Sequence, residues 1–97
     1  MRFAWDETKN QVNIRKHRLD FTDAHEMFVG PMLTVLDTRE AYGEDRWIGI
    51  GMICGRVVVI AYTERDEETI RVISLQKALR HERTRYEQAI RDELGTH

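Results

Sequence analysis

At 97 residues the chain is long enough for one domain, 1–97, with a core of several aliphatic strands against a helix or two. No apolar run approaches the roughly 20 residues of a membrane span. The start, MRFAWDE, lacks a signal-like apolar stretch, and the single Cys54 offers no disulfide framework, so a cytoplasmic protein is expected. The formal net charge of −2 hides segregation: residues 9–18 hold four cations and no carboxylate, residues 20–45 hold seven carboxylates and one arginine, and residues 71–91 hold six cations against two acids. Twelve of the fifteen basic residues are arginine, whose planar fork suits phosphate or carboxylate; a salt-bridged surface is the plainer account of the same composition.

RFAW reads as a short strand, and Asp6 as the cap of a following helix whose dipole favours Glu7 in its first turn. Along that helix Lys9, Asn13, Lys16 and His17 share one face. Only Val12 and Leu19 offer core contacts on the other side. FTDAHEMF suggests a second, short helix with Phe21, Ala24 and Phe28 on one side, capped by Asp20 or Thr22 and ended by Gly30 and Pro31. MLTVLDT is a strand, REAYGED a polar turn, and RWIGIGMI and RVVVIAYT a hairpin around Cys54-Gly55. ERDEE is the next turn and TIRVIS the last strand. From a cap at Ser74 a long helix is expected to run to about Leu94, with Leu75, Leu79, Tyr86, Ile90 and Leu94 as its apolar stripe and Glu82 in a gap of it. The expected fold is α+β: a small antiparallel four-stranded sheet packed with N-terminal helices and a long C-terminal helix.

HEMFV at His25 and HERTR at His81 begin like HExxH, but neither has the second histidine. One cysteine and scattered histidines supply no zinc spacing, and no glycine-rich phosphate loop occurs. No metal and no cofactor are therefore expected. The arginine, lysine, histidine, glutamate and tyrosine that remain suffice for metal-free cleavage of RNA, which carries its own 2′-hydroxyl nucleophile. An enzyme need only align that group, move protons and stabilise the added negative charge.

FAWDETKNQVNIRKHRLDFTDAHEMF, GEDRW, YTERD and IRVISLQKALRHERTRY, in that order, resemble the motifs of the BrnT family (DUF497), toxins of type II toxin–antitoxin modules. The resemblance covers nearly the whole chain. It implies a RelE-like fold, an endoribonuclease that blocks translation, and a BrnA-type antitoxin within a toxin–antitoxin hetero-oligomer that meets DNA only through the antitoxin. The family's polar motif positions fall here on Trp5, Asp6, Lys9, Asn13, Lys16, His17, Glu44, Arg46, Thr63, Arg65, Arg71, Ser74, Lys77, Glu82 and Tyr86. Arg18 stands where the family usually has glycine, which would ease a left-handed turn. Gln76 stands where arginine is usual, removing one candidate phosphate contact.

The expected catalytic set is His17, Arg46, Arg65, Lys77, Glu82 and Tyr86, and the expected RNA-binding set is Lys9, Asn13, Lys16, Arg71 and Arg80. Each has a plainer alternative. Trp5 is read as a core anchor and Asp6 as a cap. His17 can be a general acid or base, with an ordinary pKa near ~6.5, or simply a cation favoured at a helix C-terminus. Arg65 can stabilise phosphate or pair with Asp66 or Glu67. Glu82 can be a base with a raised pKa or a buried partner of Arg46 or Arg65. Tyr86 is half core by position, with a hydroxyl free to reach the site. The whole chain can likewise be a nuclease, or an interaction module that holds an antitoxin and assists operon autorepression.

Overall fold

The computed structural model describes residues 1–95, with side chains through Glu93. In chain order the elements are β1 (Arg2–Ala4), α1 (Glu7–His17), a 3-10 turn (Phe21–Asp23), α2 (His25–Val29), β2 (Leu33–Leu36), β3 (Trp47–Ile53), β4 (Arg56–Glu64), β5 (Thr69–Lys77) and α3 (Arg80–Gly95). The strands form one five-stranded sheet in the order β1-β5-β4-β3-β2. Strands β2 to β5 are the expected antiparallel meander, but β1 adds a fifth strand parallel to β5, with Phe3 opposite Ile70. The sheet is therefore mixed rather than four-stranded and antiparallel. The three residues of β1 are too few to show a strand period. No helix among the described residues is long and apolar enough to cross a membrane.

Alternation along the strands sends side chains to two separate cores. Ile53, Val58, Ile60, Tyr62, Ile70, Val72 and Leu75 face Leu19, Phe21, Ala24 and Met27 of the N-terminal segment. On the opposite face Ile50 and Val59 meet Tyr86 of α3, with Ile48, Met52, Val57 and Ile90 around them. Gly49 and Gly51 of β3 sit beneath the first core. A Cβ on Gly51 would lie 3.3 Å from Met27 Cε, and one on Gly49 would lie 2.9 Å from Met32 Sδ, so the glycines let the α2 segment approach the strand. Cys54 and Gly55, at φ 49° and 75°, make the two-residue turn between β3 and β4. A type I′ turn needs both residues at positive φ.

Strand β5 departs most from expectation. Ser74 is not a helix cap: it pairs with Ala61, and the ladder continues through Leu75 opposite Ile60, Gln76 opposite Val59 and Lys77 opposite Val58. Nine residues of β4 demand a partner of similar length, and that pairing overrides the helical propensity of SLQKALR. Between Val72 and Ser74 the register slips by one residue, a bulge at Ile73. The slip turns Leu75 onto the same face as Ile70 and Val72, three residues on instead of two. Helix α3 begins only at Arg80. Glu82 Oε1 accepts from the Leu79 backbone N–H at 2.7 Å, the reciprocal half of a capping box. Leu75 thus leaves the expected helical stripe and Leu79 is 59% exposed, while Tyr86 and Ile90 do pack. The side chain of Leu94 lies outside the described residues.

Candidate functional site: a basic groove and an arginine cluster

Helix α1 takes the place of a sixth strand. Past Arg71, β5 has no strand partner on the β1 side, and α1 runs alongside that edge. The helix is held by asparagine instead of leucine. Asn13, 7% exposed, donates to the Leu19 carbonyl at 2.9 Å and accepts from the Leu75 N–H at 3.2 Å, satisfying a strand-edge donor that would otherwise be buried without a partner. Asn10, 2% exposed, donates to Asp20 at 3.0 Å and accepts from the Phe21 N–H at 2.9 Å. Asp6 caps the helix by accepting from the Lys9 N–H, and Trp5 packs against the core, its ring nearly perpendicular to that of Phe21. Val12, expected in the core, is 47% exposed, because the asparagines occupy the inward face. Arg18 adopts the left-handed conformation at φ 59°, ψ 31° and donates its N–H to the Ile14 carbonyl.

The outward face of α1 and the free edge of β5 enclose two adjoining hollows. One, of about 290 Å³, is lined by Thr8, Lys9, Val12, Asn13, Lys16, His17, Ile73 and Ser74. The other, of about 540 Å³, is lined by Lys16, His17, Arg18, Gln76, Lys77 and Leu79. Neither has a carboxylate in its lining. The fold thus gathers Lys9, Lys16, His17 and Lys77 into one groove, and exposed Arg80 follows directly after Leu79 at its end. Lys77 also lines a third hollow with Tyr86, Arg56 and Arg83.

Arg46, Arg65 and Arg71 lie at the other end of the sheet. Thr63 of β4 pairs with Arg71 of β5, and Trp47 pairs with Tyr62, so Arg46, just before β3, follows in line with Thr63 and Arg71 on the face opposite the first core. Arg46 Nε and Thr63 Oγ1 are both buried without a hydrogen-bond partner among the described residues. The Arg46 guanidinium carbon sits 3.8 Å from the centroid of the Tyr42 ring. Arg65 is exposed just past β4, its backbone N–H bonded to the Thr69 carbonyl. No ion pair joins it to Asp66 or Glu67: among the described residues the salt bridges are Arg39–Asp37 and Arg83–Glu87.

The expected catalytic residues accordingly do not converge on one point. Glu82 is bound to the start of α3 and pairs with neither Arg46 nor Arg65. Tyr86 donates its hydroxyl to the Pro31 carbonyl at 2.9 Å, and burial pushes its pKa above the ordinary phenol value. Asn13 points into the protein, not into the groove's opening. Strand β5 joins the two basic regions: Arg71 belongs to the arginine cluster and Ser74, Gln76 and Lys77 to the groove, spanning six residues or roughly 20 Å. Sequence reasoning puts Asp37 at the end of the MLTVLDT strand and Tyr42 in a polar turn, giving neither a role, and puts Leu79 in the apolar stripe because its spacing mimics a core position.

A family model described as the ribonuclease toxin BrnT of type II toxin–antitoxin systems matches residues 5–82. The chain is similar to the 1.1 Å crystal structure of the Brucella abortus ribonuclease toxin BrnT, with a TM-score of 0.64 and 33% sequence identity over 82% of this chain and 99% of that one. No curated protein matches it. The match spans most of the domain, from Trp5 at the mouth of α1 to Glu82 in the cap of α3, and on that basis the chain belongs to the BrnT family of type II ribonuclease toxins.

Proposed function

We propose that the chain is a metal-independent endoribonuclease acting on cytoplasmic RNA to stop translation, with the α1–β5 groove as its cleavage site and the arginine cluster as its hold on neighbouring phosphates. The observation that carries this reading is the shared cleft of His17, Lys16 and Lys77, free of any lining carboxylate. A polyanion entering there meets cations only. In this reading His17 takes the proton from the 2′-hydroxyl or returns one to the departing 5′-oxygen. Lys77 and Lys16 stabilise the charge that builds on the phosphorus oxygens. Lys9 holds the chain on one side of the cut. Arg46, Arg65 and Arg71 hold it on the other, and Arg80 extends the cationic track.

Asn13, Glu82 and Tyr86 are assigned supporting roles, since the Asn13 amide and the Tyr86 hydroxyl are bonded within the fold and Glu82 Oε1 holds the start of α3. The test is incubation of the purified chain with total RNA in EDTA. Fragments are expected, and His17→Gln or Lys77→Ala should slow their appearance by about 100-fold, the scale of a lost acid–base group. Arg65→Ala should slow it less. Intact RNA in EDTA, with fragments returning on addition of magnesium, would sink the metal-free reading.

The same groove suits a BrnA-type antitoxin. Val12 and Leu79 stand exposed among its lysines, so an acidic segment with apolar residues would gain fast encounter from the charges and long residence from the apolar contacts. Reactivity of Lys9, Lys16 and Lys77 toward an amine-labelling reagent should fall when the antitoxin is added. Unchanged labelling, with protection elsewhere, would place inhibition outside the groove.

A further inference from the structure

Arg46 is a cation that the fold positions but that no carboxylate pairs with among the described residues. The β2–β3 loop contains a carboxylate well placed to neutralise it: Asp37, whose backbone N–H donates to the Arg46 carbonyl at 2.7 Å and whose side chain is 1% exposed. Asp37 is taken by another residue. Arg39 grips it through Nε and Nη2, both at 2.8 Å, and through its backbone N–H at 3.1 Å. The remaining contact to the carboxylate comes from the Tyr42 hydroxyl, which donates to Oδ2 at 3.1 Å. Tyr42 in turn lays its ring against the Arg46 guanidinium. The loop thus neutralises its own buried acid with Arg39 and offers Arg46 an aromatic face, leaving Arg46 without an ion-pair partner among the described residues, beside the orphaned Thr63 hydroxyl and Arg71.

We infer that Tyr42, anchored by Asp37 and Arg39, is a positioning residue that holds the Arg46 guanidinium ready for an RNA phosphate. This rests on the reading above that Arg46 contacts RNA. A guanidinium on an aromatic ring keeps its in-plane N–H donors for other partners, whereas one paired with a carboxylate has spent them. A long arginine fixed in this way also loses less rotamer freedom when phosphate arrives, and that saving appears as rate if the contact tightens as cleavage proceeds.

The experiment measures cleavage of total RNA with the full chain in excess, giving a maximal rate and a half-saturating protein concentration, alongside thermal melting. Tyr42→Leu is expected to lower the maximal rate by about 10-fold, a tenth of the cost of a gross misplacement, with half-saturation little changed. Tyr42→Phe keeps the ring but loses its anchor, and should recover most of that rate. Glu40→Ala, exposed in the same loop, should cleave as the parent does. If Arg46→Ala cleaves at the parental rate, the RNA-contact reading of Arg46 is wrong. If Arg46→Ala is slow while Tyr42→Leu is not, that reading stands and the positioning role alone is overturned. Should Tyr42→Leu melt early, Tyr42→Phe decides: a maximal rate as low as that of Arg46→Ala overturns a role for the ring, and a rate near the parent's supports it.

Discussion

Helix α1 turns two asparagines inward, one of them onto the sheet edge, where α3 turns a tyrosine and an isoleucine. The difference follows from what each helix covers. Helix α3 lies on a sheet face, where the strands have paired their backbones and present only side chains, so an apolar stripe is enough. Helix α1 lies on a sheet edge, where β5 still has an N–H to satisfy, and only a side chain with both a donor and an acceptor can take the place of the missing strand. A helix held by hydrogen bonds needs few apolar residues and can give the rest of its surface to cations, which explains how a chain of slightly negative net charge builds a groove without carboxylates.

Removing the clamp should show the larger effect. Asn13→Ala leaves the Leu75 N–H and the Leu19 carbonyl buried and unpaired, and at about 1–3 kcal/mol for each such group the loss should total roughly 2–6 kcal/mol in urea denaturation. Amide exchange should accelerate along 7–17 and at Leu75 before the β3–β4 hairpin responds. If the variant is as stable as the parent, water substitutes for the amide and α1 is held by something other than Asn13.

The corresponding change in α3 is milder. Tyr86→Phe removes the hydroxyl's bond to Pro31 and keeps the ring among Ile50 and Val59, so about 1 kcal/mol is expected. It also separates structure from chemistry: cleavage at the parental rate supports the strut reading of Tyr86, and a rate loss far beyond the stability loss would return it to the catalytic set.

The two attachments should also respond to opposite ends of the pH scale. The Thr22 backbone N–H and the Asn10 amide hold the Asp20 carboxyl below the usual aspartate value. Its folded-state pKa is depressed, so its contribution is full above the unfolded value of ~3.9 and is lost as pH falls through the folded one. Burial raises the Tyr86 phenol, so its contribution is full below an unfolded value of ~10 and is lost as pH rises through the folded one. Acid should therefore release the α1 amides first and alkali the α3 amides. Loss of both helices together at each extreme would mean that the attachments are one cooperative unit.

These contrasts also explain what the sequence disclosed. The hairpin around Cys54-Gly55, the Asp6 cap and the meander of β2 to β5 were legible because turn chemistry and alternation are local. The end of β5 was not: SLQKALR has good helical propensity, and only the length of β4, a distant fact, draws its first four residues into the strand. The spacing of Ile70, Val72 and Leu75, two and then three, was the one local trace of the bulge. At the candidate site, Lys9, Lys16 and His17 shared a visible helical face, and Lys77 joined them only through the unforeseen extension of β5. Asn13 was misplaced because a polar residue on a basic face reads as outward, while its burial depends on a strand N–H sixty-two residues away.

The smallest expected effect sits at the end of α1. Arg18 occupies the left-handed region that ends a helix, a conformation that costs a residue with a Cβ about 1–2 kcal/mol and costs glycine almost nothing. Glycine gives part of that back through its freer unfolded chain, so Arg18→Gly should stabilise the protein by about 0.5–1 kcal/mol. Arg18 also lines the cleft beside His17 and Lys77, so the same substitution removes one cation from the proposed RNA track. A tighter helix end and weaker RNA binding should appear together, the first in the melting temperature and the second as a shallower dependence of binding on salt, by about one counterion. A stabilised variant whose salt dependence is unchanged would show that RNA passes Arg18 without touching it, and that the residue's strain serves something other than this groove.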